Sequence, residues 1–383
     1  MKDLQVLVIS ITMIRMKILP NIIFDQVLRF FIVGSMFFYI PNMEQLKPQE
    51  MFVQYGIIVI FAVSLMVPKK RSVNNFYFGL MLLYLALHTI FYSFSIPSRM
   101  TLLNIFFGFV FIKTAAETME LNLKKSGVFF LIFAIANLTL MIFQYYGKDP
   151  IYSSLMPENM PEVDITGFMA LRSHAAAMAA LITPFIFAVS PWACLVLVPI
   201  LIIGKSSTCL LAFIITFYFL MFFKSKKFFA WTLPIVLFAG AYYVLFQDAP
   251  SGEFNKRLYT WWSGVHVWKD SLWFGKGLGM WNVSDFIFIQ ENGKPQKWAW
   301  AHNEFIQLGF EAGFFSLMIL YFLAKSMLKK ISLTDELSRY CLAGVGALSI
   351  VSFFHFPFHI GRLAGLSMYI LAFLIAKDSE YGT

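Results

Sequence analysis

The tetrapeptide Ala301-His302-Asn303-Glu304 opens a long apolar run and sets an imidazole two residues from a carboxylate. An imidazole that titrates near neutrality suits proton removal from a hydroxyl. Glu311 follows Glu304 by seven residues, so a helix would carry both acids on one face. A carboxylate inside an apolar run is costly and faces a partner or a cavity. Two readings of His302 stand side by side: a structural histidine at an interface, or a base that the two acids orient or support. Glu311 also suits a helix-locking role. Gly309 and Gly313, four apart, predict close helix approach.

The stretch before this run is rich in tryptophan. Seven of the nine Trp residues fall between 261 and 300: Trp261, Trp262, Trp268, Trp273, Trp281, Trp298 and Trp300. Tryptophan collects at membrane–water interfaces, and its ring also stacks on apolar sugar faces. The density predicts both uses. Residues 254–270 read as a helix in which Arg257, Trp261, Gly264 and Trp268 share a face and His266 points elsewhere. The triplet Gly275, Gly277 and Gly279 predicts a tight turn. It lacks the strand and helix that a dinucleotide fingerprint requires.

The elements that must position these groups are membrane helices. Of 383 residues, 59% are hydrophobic and 13% charged, with mean hydropathy +0.71, whereas soluble domains are about a quarter charged. Such a chain needs lipid around it. Hydropathy predicts about twelve spans, near 22–41, 51–67, 74–93, 100–114, 126–146, 167–189, 192–204, 206–223, 228–246, 303–325, 338–356 and 361–377. The fold class expected is an all-α polytopic membrane protein, with a large loop containing short amphipathic helices. Its three parts are spans one to nine (1–246), the Trp-rich loop (247–302) and spans ten to twelve (303–383). Lys69-Lys70-Arg71, Lys124-Lys125, Lys224 with Lys226-Lys227, and Lys325 with Lys329-Lys330 each follow an even-numbered span. By the positive-inside tendency those loops and both termini are cytoplasmic, and the long loop is outside. The net charge of +9 is therefore a topology signal, with no nucleic-acid partner expected. Cys194, Cys209 and Cys341 sit in apolar runs as small buried residues, and no histidines or acids stand at metal-ligand spacing.

Three stretches resemble the O-antigen ligase family, which also includes O-antigen polymerases. They are Arg257 with Trp261-Trp262 and the turn 275–279, the element His302-Asn303 with Glu311 and Gly313, and Lys205-Ser206-Ser207-Thr208 before an apolar span. Relatives often carry Arg beside the Ser of the last element; here Lys205 stands two residues before Ser207. The resemblance covers roughly 165–325. It implies a bacterial inner-membrane glycosyltransferase without a cofactor or metal, working at the periplasmic face. The donor would be an undecaprenyl diphosphate-linked glycan, and the acceptor lipid A-core or a growing glycan. It further implies His302 as base, with Glu304 and Glu311 orienting it, pairing with Arg257 or locking helices. Arg257 would grip the diphosphate, with Lys205 as a second cation. Arg172, beside His174, is either a snorkelling anchor or a third cation on that ligand. Trp261, Trp262 and Trp300 would line the glycan. A ligase is expected ahead of a polymerase; a flippase for lipid-linked sugars or a non-catalytic scaffold would need neither the folded loop nor the base.

Overall fold

The computed structural model describes residues 22–32, 34–35, 47–74, 76–151, 165–169, 171–234, 253–283, 289–291, 294–296, 298–329 and 331–380. These form helices throughout, plus one short hairpin. In order they are α1 (22–32), α2 (Lys47–Ser64), α3 (Phe76–Tyr92), α4 (Ile96–Thr118), α5 (Leu123–Tyr145), α6 (Arg172–Val189), a 3-10 segment (Pro191–Val196) running into α7 (Leu197–Ile203), α8 (Ser207–Lys224), α9 (226–234), α10 (Glu253–Trp268), α11 (Met280–Val283), the hairpin β1 (Ile289–Glu291) and β2 (Lys294–Gln296), α12 (Glu304–Leu328), α13 (Glu336–Phe354) and α14 (Gly361–Glu380).

Local chemistry sets several starts. The side chains of Ser95, Asn122, Asn303 and Asp335 accept from first-turn backbone N–H groups of α4, α5, α12 and α13. Each satisfies donors that a helix N-terminus leaves open. α6 is the central helix. Its run Ala175 to Ala180, interrupted only by Met178, is fully buried, and small side chains let α5, α8 and α13 pack closely around it. At Gly127 of α5 a Cβ would stand 2.1 Å from the Phe185 carbonyl oxygen of α6, so only glycine permits this approach.

Among the described residues, six helices are long and apolar enough to cross a membrane: α4, α5, α6, α8, α12 and α13. The expected twelve are not all confirmed on this criterion. Residues 52–64 and 76–92 form shorter apolar helices, and the run 192–204 is a 3-10 segment leading into the seven-residue α7. The expected ninth span is described only over 226–234, and the first only to residue 35. The chain is a multi-pass membrane protein. The all-α expectation holds; the one exception among the described residues is a pair of three-residue antiparallel strands, with Glu291 opposite Lys294.

One end of the bundle carries a set of paired charges. Lys69 reaches Glu117 at 2.8 Å, Arg71 donates to the Met119 carbonyl at 2.9 Å, and Glu120 N donates to Asp25 at 3.0 Å. Lys377 pairs with Asp335 at 3.3 Å, and Arg339 lies over the Phe223 ring. Ser126, at the start of α5, shares a 2.8 Å hydrogen bond with Tyr369 of α14, which joins the two groups. The start of α6, the α7–α8 junction, the start of α12 and the end of α13 meet at the other end.

α12 is broken at Gly313, which has φ 75° and ψ −179°. The backbone groups released there are taken up by the glycine turn. Lys276 N donates to Phe310 O and Gly277 N to Glu311 O, both at 2.8 Å; Phe314 N donates to Leu272 O at 2.9 Å and Phe315 N to Trp273 O at 3.3 Å. Non-helical backbone is tolerated at membrane depth only when protein satisfies it in this way. Gly275, Gly277 and Gly279 all have positive φ, as the predicted turn requires. The close approach predicted for Gly309 and Gly313 takes another form. Gly309 seats the Trp268 ring, and Gly313 is where a second chain segment enters the helix.

Candidate functional site at the mouth of α12

α10 lies across the site end and presents the face expected from its sequence. Arg257 Nη1 donates to the Phe354 carbonyl at 2.9 Å. Trp261 Nε1 donates to the Ala301 carbonyl at 2.7 Å. Gly264 lies against the Trp281 ring, and Trp268 against Gly309. His266 points away and stacks on Trp262, with ring centroids 5.4 Å apart. α10 is thereby fastened to the end of α13, to the residue before His302 and to α12.

His302 sits in the last loop position but one before α12 and adopts φ 53°, a left-handed conformation unusual for a side-chain-bearing residue. Its ring packs on Trp298 at 4.6 Å and edge-on to Phe356 at 4.5 Å. Behind it stands His355, at 6.3 Å, and behind that His174 of α6, 5.4 Å from His355. Burial, reinforced by the Arg257 and His174 charges, pushes the His302 imidazole down to about 3. His355 is driven well below its ordinary value by burial, then by His174, His302 and Arg257. His302 is therefore held in its neutral form, and the Arg257 charge acts on it. The His355 Nδ1 accepts from Phe356 N at 2.9 Å, which leaves any proton of the neutral ring on Nε2.

α6 brings its first turn here because buried side chains of α5 hold the chain that enters it. Asn137 Oδ1 accepts from Phe168 N at 2.8 Å, and Gln144 Oε1 accepts from Thr166 N and Gly167 N at 2.9 and 2.7 Å. Arg172 opens α6 and is exposed. The backbone of Gly204 lies against the same turn; a Cβ there would stand 2.9 Å from the Arg172 carbonyl oxygen. Lys205 follows with φ 47° and an exposed side chain. Arg172 and Lys205 thus share one rim of the site. Arg257 acts electrostatically on Cys209, in the first turn of α8.

Glu304 is placed differently from the expected pairing. It meets the α13–α14 connection: Oε1 accepts from Phe358 N at 2.8 Å, and Oε2 lies 2.9 Å from His359 Nδ1. Glu311 is buried; Oε2 accepts from Gly279 N at 2.9 Å and Oε1 from Gln307 Nε2 at 3.2 Å. It locks the glycine turn to α12. Trp261 is half-buried against Phe353 and Phe354. Trp300 packs on His359 at 4.5 Å and on Phe356 at 6.1 Å, whereas Trp262 is exposed beside His266. His355, His359 and Gln307 join the site only in the folded chain. Only the proximity of two apolar helix ends, 52 residues apart, makes them part of the site. Among the described residues, no group of three or more His, Cys, Asp or Glu side chains is placed to hold a metal ion.

This arrangement can take a proton from a hydroxyl at a neutral imidazole and meet a multiply charged anion with cations alongside. Residues 165–321 match the family model described as O-antigen ligase. The match runs from the entry of α6 into the lower half of α12. It covers Arg172, Lys205, Arg257, His302 and Glu311, and stops before His355 and His359. No curated protein matches the chain.

Proposed function

For this chain of the O-antigen ligase family, a membrane glycosyltransferase of ligase/polymerase type, we propose transfer of a glycan from an undecaprenyl diphosphate carrier to lipid A-core. The transfer takes place at the periplasmic face of the bacterial inner membrane. His302 takes the proton from the acceptor hydroxyl. The oxygen attacks the anomeric carbon, the bond from that carbon to the phosphate oxygen breaks, and its electron pair leaves with the diphosphate. Arg257 meets the developing charge with its planar fork, and Lys205 and Arg172 supply further positive charge from the rim. In this reading these side chains, rather than a metal ion, serve the diphosphate. Trp261 and Trp300 shape the wall of the pocket, and Trp262 lies outside it on the exposed face of α10. Glu304 supports the site by holding the α13–α14 connection.

The observation that carries the proposal is the placement of His302 at the mouth of α12, packed between Trp298 and Phe356, with the helix that bears Arg257 fastened to the preceding residue through Trp261. A base without a nearby cation would suit many reactions; a base and a guanidinium together suit loss of a diphosphate. The Lys and Arg clusters in the loops at the far end support a periplasmic site and cytoplasmic termini.

The test is glycan transfer in reconstituted membranes from an undecaprenyl diphosphate-linked oligosaccharide to lipid A-core, with wild type, His302→Ala and Arg257→Ala. Transfer that collapses in both folded variants supports the assignment. Lengthening of the glycan on its own carrier would make the protein a polymerase. A donor that merely crosses the bilayer, with no transfer to any acceptor, would replace the transferase by a transporter.

A further inference from the structure

Gln307 sits at the centre of a hydrogen-bond chain that the reaction above does not use. It is 1% exposed, one turn into α12. Its Oε1 accepts from Ala301 N at 3.1 Å; its Nε2 lies 3.2 Å from Glu311 Oε1 and 3.1 Å from His359 Nε2. The orientation of this amide is fixed chemically. Turning it over would set an N–H₂ against the Ala301 N–H and a carbonyl against the Glu311 carboxylate. With the amide so fixed, both of its hydrogens are committed, one to Glu311 and one to His359. His359 Nε2 must then accept, so its proton is on Nδ1, which lies 2.9 Å from Glu304 Oε2. The chain is consistent only when His359 can offer an acceptor to Gln307.

The far end of this chain is the peptide before His302. Ala301 N is held by Gln307, and Ala301 O by Trp261 Nε1 at 2.7 Å. Asn303, the next residue, caps α12. A left-handed backbone on a residue other than glycine is strained and persists only where neighbours over-determine it. Both polar groups of Ala301 and the cap at Asn303 do so here.

We propose that Gln307 is a positioning residue for His302, and that His359 supports it as a hydrogen-bond acceptor rather than as a cation paired with Glu304. The proposal rests on the assignment of His302 as the base.

The test uses the full-length protein in reconstituted membranes with Gln307→Met, His359→Gln and His359→Lys, each first checked for a monodisperse, cooperatively unfolding preparation. Gln307→Met keeps the volume and removes the amide. We expect its kcat to fall at least tenfold while KM for the lipid-linked donor changes less than threefold. His359→Gln retains an acceptor and should keep at least a tenth of wild-type kcat. His359→Lys retains the charge pairing with Glu304 but offers only donors, and should fall a hundredfold. Lys active and Gln inactive would overturn the acceptor role. The clamp is also read without catalysis, by the rate at which diethyl pyrocarbonate modifies His302, mapped by mass spectrometry. That rate should rise several-fold in Gln307→Met and His359→Lys and hold in His359→Gln. Unchanged His302 modification in Gln307→Met would overturn the clamp whatever the transfer rates. A His302→Ala variant transferring at the wild-type rate would instead overturn the base assignment and leave the clamp to be judged by modification.

Discussion

Trp261 donates its indole N–H to the carbonyl of Ala301 across 40 residues of chain, at 2.7 Å, and so fixes the peptide on which His302 hangs. Its neighbour Trp262 is 64% exposed. Two adjacent tryptophans therefore have unlike consequences. Trp261→Phe keeps the ring against Phe353 and Phe354 but loses a hydrogen bond that contributes about 1 kcal/mol. We expect kcat to drop roughly tenfold, a larger loss than the bond alone gives, because near-attack geometry is sensitive to small displacements. Trp262→Ala should leave kcat within about twofold. Transfer assays on the two variants check this, and equal losses would contradict it.

The pH dependence has a definite sign. As the proposed base, His302 would act in its neutral form, and its position near 3 keeps that form populated well into acid. The acid limb of kcat/KM, which reports the free enzyme, should therefore lie below about pH 5 rather than near the ordinary histidine value of about 6.5. A bound diphosphate adds negative charge that favours the imidazolium, so the acid limb of kcat should lie at higher pH than that of kcat/KM. Coincident limbs, or the reverse order, would count against His302 as the base.

Arg257→Lys tests the cation. Arg257 bonds a carbonyl through Nη1, and its guanidinium is a planar fork with five N–H donors in all. A single ammonium cannot reproduce that fork. Transfer should fall by about a hundredfold, with the larger part in kcat if the charge is felt mainly as the diphosphate leaves. Kinetics at saturating and limiting donor separate the two parts.

Gly313→Ala tests the break in α12. A Cβ there would stand 2.2 Å from the Trp273 carbonyl oxygen, at a φ of 75°. The expected loss is on the order of 3 kcal/mol, because strain and a backbone clash act together. Gly346→Ala, where a Cβ meets nothing within 4 Å, is the control and should be neutral or slightly stabilising. Thermal unfolding in detergent reads both.

Orientation can be read by labelling. Cys194, Cys209 and Cys341 are buried and should stay silent toward a membrane-impermeant maleimide. Lys269→Cys, exposed beside α10, should label from the periplasmic side, and Lys227→Cys, exposed in α9, only after the inner membrane is opened. The opposite pattern would invert the proposed topology.

Local periodicity made part of this site legible. The face of α10 followed from three- and four-residue spacing, and its four members do contact the rest of the site. The alignment of Glu304 with Glu311 also followed, because seven residues are nearly two turns. What they bind was not legible. His359 and Gly279 reach them from distant parts of the chain, and nothing in the run from 301 to 313 encodes those partners. Gly313 was read as a contact glycine because four-residue glycine spacing has that meaning in unbroken helices. Its backbone conformation depends on hydrogen bonds from residues 272–277, which only the folded chain brings near. Tryptophan burial was equally hidden: Trp281 is fully buried while Trp273 is 51% exposed, although both lie in the same loop.

The break at Gly313 divides α12 into two independently indexed pieces. Above it, one inserted or deleted residue between Glu304 and Glu311 would rotate part of the polar face by about 100° and scatter Glu304, Gln307 and Glu311. Below it, the same change would alter how far the helix extends toward its basic end while leaving that face in register. The upper piece should therefore have a fixed length among chains that share this chemistry. The lower piece is free to vary with the thickness of the membrane it crosses.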